Sequence, residues 1–171
     1  SDFGACVSIE NVNINGDGGT LDIRLKNFID VGGFQFSFFG ITVTGASGGM
    51  SEASGMDIQF NSAQGIVLGY TINPNWYFIP ANSDNVLVTI SFEETHGAQI
   101  RFGLPGEQYI SDTGGQAVET NGWDEGYCIA EGDNLNDDGY DCQGICGGYA
   151  VLDCFDVCGG TAVEDECGVC N

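Results

Sequence analysis

Positive charge is almost missing from this chain. Arg24, Lys26 and Arg101 are its only Arg or Lys residues, against 25 Asp and Glu, and the formal net charge is −22 at pH 7. Nucleic-acid binding depends on Lys and Arg neutralising phosphates, so this balance argues against a nucleic-acid partner. It also creates a self-repulsion that divalent cations offset, and calcium is the fitting counter-ion in an extracellular fluid. Long apolar runs are missing too. No stretch approaches the roughly 18 residues of a membrane span, and Ser1-Asp2-Phe3-Gly4 shows neither the charged nor the apolar part of a signal peptide. The chain reads as a mature secreted form, and its stop at Cys170-Asn171, part-way through a repeat, reads as a fragment of a longer product. Helical periodicity is absent as well, and Gly is abundant at 28 residues, so the pattern predicts an all-β fold.

What is present is alternation. After Gly32-Gly33, Phe34, Phe36 and Phe38 alternate with Gln35 and Ser37, the period of a strand with one face in a core. Phe39-Gly40 breaks the alternation, and Ile41 to Thr44 resume it, which predicts a bulge or bend followed by a second strand. Val7, Ile9, Val12 and Ile14 outline a first strand. Leu21, Ile23 and Leu25 outline a half-buried one, with Asp22, Arg24 and Lys26 on its polar side. Further apolar segments lie at 58–60, 66–72, 86–92 and 100–102, separated by turn signals such as Asn73-Pro74-Asn75 at β-sandwich spacing. Trp76 and Tyr77, beside that turn, either plug the end of the sandwich or stack on a sugar ring.

Catalytic patterns are weak. Gly45-Ala46-Ser47-Gly48-Gly49 satisfies the G-x-S-x-G elbow, but the elbow needs a following helix and a histidine partner. No helix is expected there, and the only histidine, His96, sits at an expected turn. No acid/base pair stands out, so the chain is read as a non-enzyme.

The texture changes after Asn121-Gly122-Trp123, which sets expected domains at 1–127 and 128–171. Residues 141–152, DCQGICGGYAVL, recur as 153–164, DCFDVCGGTAVE, and again from 165 as DECGVCN, a period of twelve. Units this short bury no core, so disulfides must hold them. The cysteines are Cys6, Cys128, Cys142, Cys146, Cys154, Cys158, Cys167 and Cys170, and all are expected to be oxidised outside a reducing cytosol. Cys6 and Cys128 are the two outside the repeats and are expected to pair. Zinc is disfavoured, since only Cys167 and Cys170 have C-x-x-C spacing and no histidine is near. Just before the repeats, Asn134, Asn136 and Asp138 take alternate ligand places of a calcium loop, with Gly139 at the sharp turn and the Tyr140 carbonyl next. The twelfth place is Ile145, so Asp141 or a later aspartate, Asp153 or Asp156, would close the site.

Four blocks carry a family resemblance. They are Val31 to Phe36, Ile66 to Tyr70, Ile79-Pro80-Ala81 leading into Val86 to Phe92, and Tyr109 to Gly115. Together they resemble the successive strands of cohesin-type modules over about residues 5 to 120. The resemblance implies a jelly-roll sandwich of about nine strands and a non-enzymatic role. The tail is similar to the acidic CGVCGG-type cysteine repeats of secreted, often marine microbial, surface proteins, and loosely to thrombospondin type 3 repeats. The combined expectation is an extracellular structural or adhesive module at the cell surface, such as a fibre subunit. It would assemble with copies of itself or a neighbouring surface protein, partly along the Phe3 to Ile14 sheet edge. The alternative is a carbohydrate-binding module using Trp76 and Tyr77.

Overall fold

The computed structural model describes residues 3–73, 75–124 and 126–171, so Pro74 of the expected Asn73-Pro74-Asn75 turn lies outside the described residues. Two compact units emerge: residues 1–96 with 100–127, and residues 97–99 with 128–171.

The first unit is a β-sandwich. In chain order its elements are β1 (Ala5–Asn15), β2 (Gly18–Asn27), β3 (Val31–Phe39), β4 (Ile41–Ser47), a short helix α1 (Gly49–Ala53), β5 (Asp57–Asn61), β6 (Ile66–Tyr70), β7 (Asp84–Thr95), β8 (Gln99–Phe102), β9 (Tyr109–Asp112), β10 (Ala117–Val118), β11 (Thr120–Asn121) and β12 (Gly126–Cys128). One sheet runs β11-β1-β2-β7-β4 and the other β10-β9-β3-β6-β5, with β8 pairing the end of β3 at Phe38 and Phe39. The bend expected at Phe39-Gly40 is the corner where the chain leaves the second sheet for the first. Gly40 adopts φ 89° there, a conformation in which a side chain would be strained.

The three phenylalanines face inward as the alternation predicts. Phe34 and Phe36 are fully buried and stack at 5.1 Å between ring centroids. Phe36 also meets Phe102 edge-on at 6.0 Å, and Phe102 meets Trp123 edge-on at 5.0 Å. Leu21, Ile23, Leu25, Val43, Val88, Ile90 and Phe92 supply the facing layer from the other sheet. Gly69 lies opposite Phe34 in the β3–β6 ladder, and a Cβ there would collide with the Phe34 ring.

Two expectations are corrected. A helix does follow the Gly45 to Gly49 segment. Glu52 accepts from the Gly48 N–H at 2.7 Å, and buried Ser51 donates to Leu87 O at 2.7 Å, which anchors α1 on β7. The elbow still has no histidine. The His96 N–H bonds Gly40 O at the start of β4, while Ser47 ends that strand seven residues on, roughly 23 Å at strand rise. The other correction concerns aromatics. Trp123 and not Trp76 packs into the core, and Trp76 is 78% exposed.

The second unit is a ladder of turns. Bridges Tyr140↔Cys146, Leu152↔Cys158 and Glu164↔Cys170 recur every twelve residues, matching the sequence repeat. Disulfides Cys128–Cys146, Cys142–Cys158 and Cys154–Cys170 tie successive units together, each with Cα atoms 5.6–5.7 Å apart.

Candidate interaction face and the tail turns

In β3, β6, β9 and β5 the register decides which side chains face solvent. Gln35 is flanked by Tyr109 and Leu68, with Gln59 beyond, and the neighbouring row sets Ser111, Gly33, Tyr70 and Asp57 side by side. All sit at positions opposite in parity to the buried Phe34, Phe36, Val67 and Ile110. A Cβ at Gly33 would lie 2.9 Å from Ser111 Oγ and 3.2 Å from Gly69 O, so a side chain there would crowd both neighbouring strands. The result is a shallow depression of about 200 Å³ floored by Gly33 and walled by Leu68, Tyr70, Tyr109 and Ser111. Thr71 Oγ lies at its margin, shielded from solvent and without a hydrogen-bond partner among the described residues.

The carboxylates around this face are held by local partners. Asp57 accepts from Tyr70 OH at 2.8 Å and Gln59 Nε2 at 3.0 Å. Glu107 accepts from Ser37 Oγ at 2.6 Å and the Leu104 N–H at 3.2 Å. Asp112 Oδ1 accepts the Gly114 and Gln116 N–H groups, both at 2.8 Å. The bond to Asp57 and the charge of that carboxylate push the Tyr70 hydroxyl above its ordinary pKa, so it stays protonated. The exposed side chains are Tyr70 at 37%, Tyr109 at 39% and Gln59, with Leu68, Ile66, Gln35, Asp57 and Ser111 partly exposed. The outer face of the other sheet is charged by contrast, with Arg24 Nε 2.8 Å from Asp84 and weaker pairs from Lys26 to Asp84 and Arg24 to Glu10, each at 3.8 Å.

In the tail, one device recurs four times. Asn136 Oδ1 accepts the N–H groups of Asp138 and Tyr140, at 3.0 and 2.9 Å. Asp141 Oδ1 accepts those of Gln143 and Ile145, Asp153 Oδ1 those of Phe155 and Val157, and Asp165 Oδ1 those of Cys167 and Val169, all at 2.8–3.0 Å. The residue three places after each acceptor, Gly139, Gly144, Asp156 or Gly168, takes a positive φ of 60–83°. These are side-chain-organised turns that let a chain without a core fix its backbone. The donated N–H groups hold the three aspartates below the usual carboxylate range. The largest contributors are the N–H groups of Ile145, Val157 and Val169, and they outweigh the burial that pushes the other way.

Two of the expected calcium ligands, Asn136 and Asp141, organise turns of this kind. Asn136 Oδ1 is engaged as above, the Tyr140 carbonyl accepts from the Asn136 N–H at 2.8 Å, and Asp141 Oδ2 accepts the Ala150 N–H at 3.1 Å. Asn134 donates to Gly148 O at 2.9 Å. Asn134, Asn136, Tyr140 and Asp141 line one open cavity, and among the described residues no three His, Cys, Asp or Glu side chains converge as a metal site.

The cysteine pairing is also corrected. Cys128 joins Cys146, while Cys6 is half-buried and Cys167 exposed, both unpaired. Cys6 lies beside Asn121 of β11 and Lys26 of β2 on the outer face of the first sheet, and Cys128 is the first rung of the tail ladder. Alkylation of the native protein is therefore expected to label two thiols, and peptide mapping to recover Cys128 linked to Cys146. A Cys6–Cys128 peptide would overturn this pairing. Trp76 and Tyr77 lie outside the face, with Tyr77 51% exposed and its ring against Gly55.

No family model matches this chain, and no curated protein matches it. Solved structures do. The chain is similar to the third ScaB cohesin of R. flavefaciens in complex with a group 1 dockerin, with a TM-score of 0.57 and 9% identity over 77% of this chain and 99% of that one. It is also similar to a non-cellulosomal cohesin from the archaeon Archaeoglobus fulgidus, with a TM-score of 0.53 and 18% identity over 74% and 91%. A cohesin from a type I cohesin–dockerin complex of Clostridium thermocellum matches with a TM-score of 0.50 and 15% identity over 71% and 90%. The first unit thus has a cohesin-like sandwich fold.

Proposed function

We propose that this chain is an extracellular, non-enzymatic module of a surface fibre or appendage. It binds a protein partner, another copy or a neighbouring surface protein, through the outer face of β9, β3, β6 and β5. The observation that carries this reading is the cluster of Leu68, Tyr70 and Tyr109 on an outer sheet face of a chain of net charge −22, with Asp57 the carboxylate in the same rows. Exposed aromatic and aliphatic side chains grouped around a flat glycine floor suit a protein contact. The similar structures from R. flavefaciens and C. thermocellum are themselves protein–protein complexes, which supports a partner of the same class. The three disulfides fit an oxidising compartment.

The face is favoured over the β1 edge. β11 covers only Ala5 and Cys6, and the register shifts between Glu10 and Asn13, where Asn11 takes φ 49°. Such a bulge turns an edge away from strand addition. Calcium enters this reading as a counter-ion at exposed carboxylates between molecules, lowering the repulsion that association must overcome.

Sedimentation velocity in millimolar calcium tests it. Wild-type protein is expected to associate, and Leu68→Asp, which buries a charge in the contact, to weaken association about tenfold or more without changing the unfolding midpoint. Ser8→Asp on the other sheet is expected to leave association unchanged. A wild-type protein that stays monomeric and binds no neighbouring surface protein would end the proposal. The second reading rests on the exposure of Trp76. Retention on insoluble polysaccharide that Trp76→Ala abolishes would then favour carbohydrate binding.

A further inference from the structure

Arg24 pairs with Asp84 and Glu10, and Lys26 with Asp84, whereas Arg101 pairs with no carboxylate among the described residues, although Asp and Glu number 25. Its guanidinium lies 4.6 Å from the centre of the Phe39 ring, and Arg101 lines a cavity of about 400 Å³. That cavity belongs wholly to the first unit. Around it stand Arg101 on β8, Gln108 in the loop before β9, and Asn121, Gly122, Trp123 and Asp124 at and just after β11. The fold sets several of these groups in place and leaves part of their bonding capacity unused. Gln108 Nε2 donates to the Oγ of buried Ser37 at 3.2 Å, which holds the amide while its Oε1 has no protein donor among the described residues. Trp123 meets Phe102 edge-on at 5.0 Å and yet stays half-buried, with part of its indole at the cavity. Gly122 takes φ 102° with its back to the Val7 carbonyl, where a Cβ would collide, and so fixes the chain between Asn121 and Trp123. Asn121 and Asp124 are exposed there, and no hydrogen bond among the described residues engages their side chains.

We propose that this cavity binds a carboxylated saccharide, a uronic acid unit of a glycan. A sugar hydroxyl donates and accepts a hydrogen bond at once, so its site needs donors and acceptors side by side. Here Arg101 and the Trp123 indole N–H only donate, ionised Asp124 only accepts, and the Gln108 and Asn121 amides do both. The guanidinium fork matches a carboxylate with two parallel bonds, and the chain's other two cations are already engaged by Asp84. The indole adds apolar surface against which a sugar ring packs, and the volume lies in the range of small-ligand sites. An acidic peptide fits less well. It would use the guanidinium alone, would set its charges against Asp124 and the net −22 of the chain, and would leave the amides without hydroxyl partners. The cavity shares no lining residue with the depression at Gly33 and does not include Trp76, so the inference rests on neither.

Nitrogen–proton correlation NMR of the full chain, titrated with trigalacturonic acid, provides the check. The buffer contains sodium and no divalent cation, so a calcium bridge to surface carboxylates cannot imitate binding. The Trp123 indole N–H and the side-chain amides of Gln108 and Asn121 are expected to shift together and to saturate. The Trp76 indole N–H is expected not to move. Neutral galactotriose is expected to bind about tenfold more weakly, the worth of a hydrogen bond to a charged group. Arg101→Gln is expected to bring the acidic trisaccharide down to that level and to leave the neutral one unchanged. A tetraglutamate peptide is expected to leave Trp123 unshifted. Equal affinity for the two trisaccharides in the wild-type protein, no response at Trp123, or a peptide response equal to that of the acidic sugar would each overturn the proposal. Leu68→Asp is expected to leave this titration unchanged, so failure here leaves association through the sandwich face standing, and failure of association leaves this site standing.

Discussion

Phe36→Ala is expected to destabilise the sandwich by about 3–5 kcal/mol, the usual cost of deleting a buried aromatic ring. Phe36 is fully buried and stands between Phe34, Phe38, Phe102 and Trp123, with centroids 5.1–6.5 Å away, so several rings lose a neighbour at once. For a unit of this size that corresponds to a fall in the unfolding midpoint of roughly 10–20 °C. The control is one strand end away. Phe39 is 39% exposed, and its ring receives the Arg101 guanidinium at 4.6 Å, so Phe39→Ala is expected to cost only about 1 kcal/mol or less. Thermal melts by near-ultraviolet circular dichroism check both. Equal losses at the two positions would mean that the inward parity of β3 does not decide the stability of this unit.

Acid is expected to loosen three of the four tail turns and to spare the fourth. Asp141, Asp153 and Asp165 have folded-state pKa values below their ordinary ones, so between the folded and unfolded values the unfolded turn binds more protons and stability rises with pH. Their contribution is fully present above the ordinary aspartate range near about pH 4 and is lost as pH falls through the depressed folded values. Amide exchange at Ile145, Val157 and Val169 should therefore lose protection on going from neutral pH to strong acid. The turn at Asn136 has the same hydrogen bonds to a neutral amide oxygen, so the Asp138 and Tyr140 amides should keep theirs. The disulfides hold the units together throughout, so the change is local. Loss of protection at all four turns together, or at none, would show that the aspartate charge does not stabilise them.

The inward face of the sandwich was legible in the sequence because burial and period-2 alternation are written in the same residues. Phe34, Phe36 and Phe38, and Leu21, Ile23 and Leu25, face inward as their spacing predicts, and the bend at Phe39-Gly40 falls where the alternation breaks. The twelve-residue period of the tail was legible for the same reason, since a local turn repeats whenever its residues do. The outer face was not legible. Gly33, Gln35, Leu68, Tyr70 and Tyr109 come from three strands far apart in the chain, and only the ladder register of β3, β6 and β9 makes them neighbours. The short helix at Gly49–Ala53 escaped because five residues are too few for a period, and it is held by Ser51 bonding β7. The loop from Asn134 to Asp141 shows the same limit at closer range. Alternating Asn and Asp with a glycine suits a cation and a chain of turns equally well, because both uses draw on the same side-chain oxygens. Sequence alone determined the sandwich class, the acidic character and the repeating tail, since each follows from composition or local period. Tertiary structure decided which cysteines meet, which aromatic fills the core and which side chains share the outer face, because pairing partners are set by register and strand order across the whole chain.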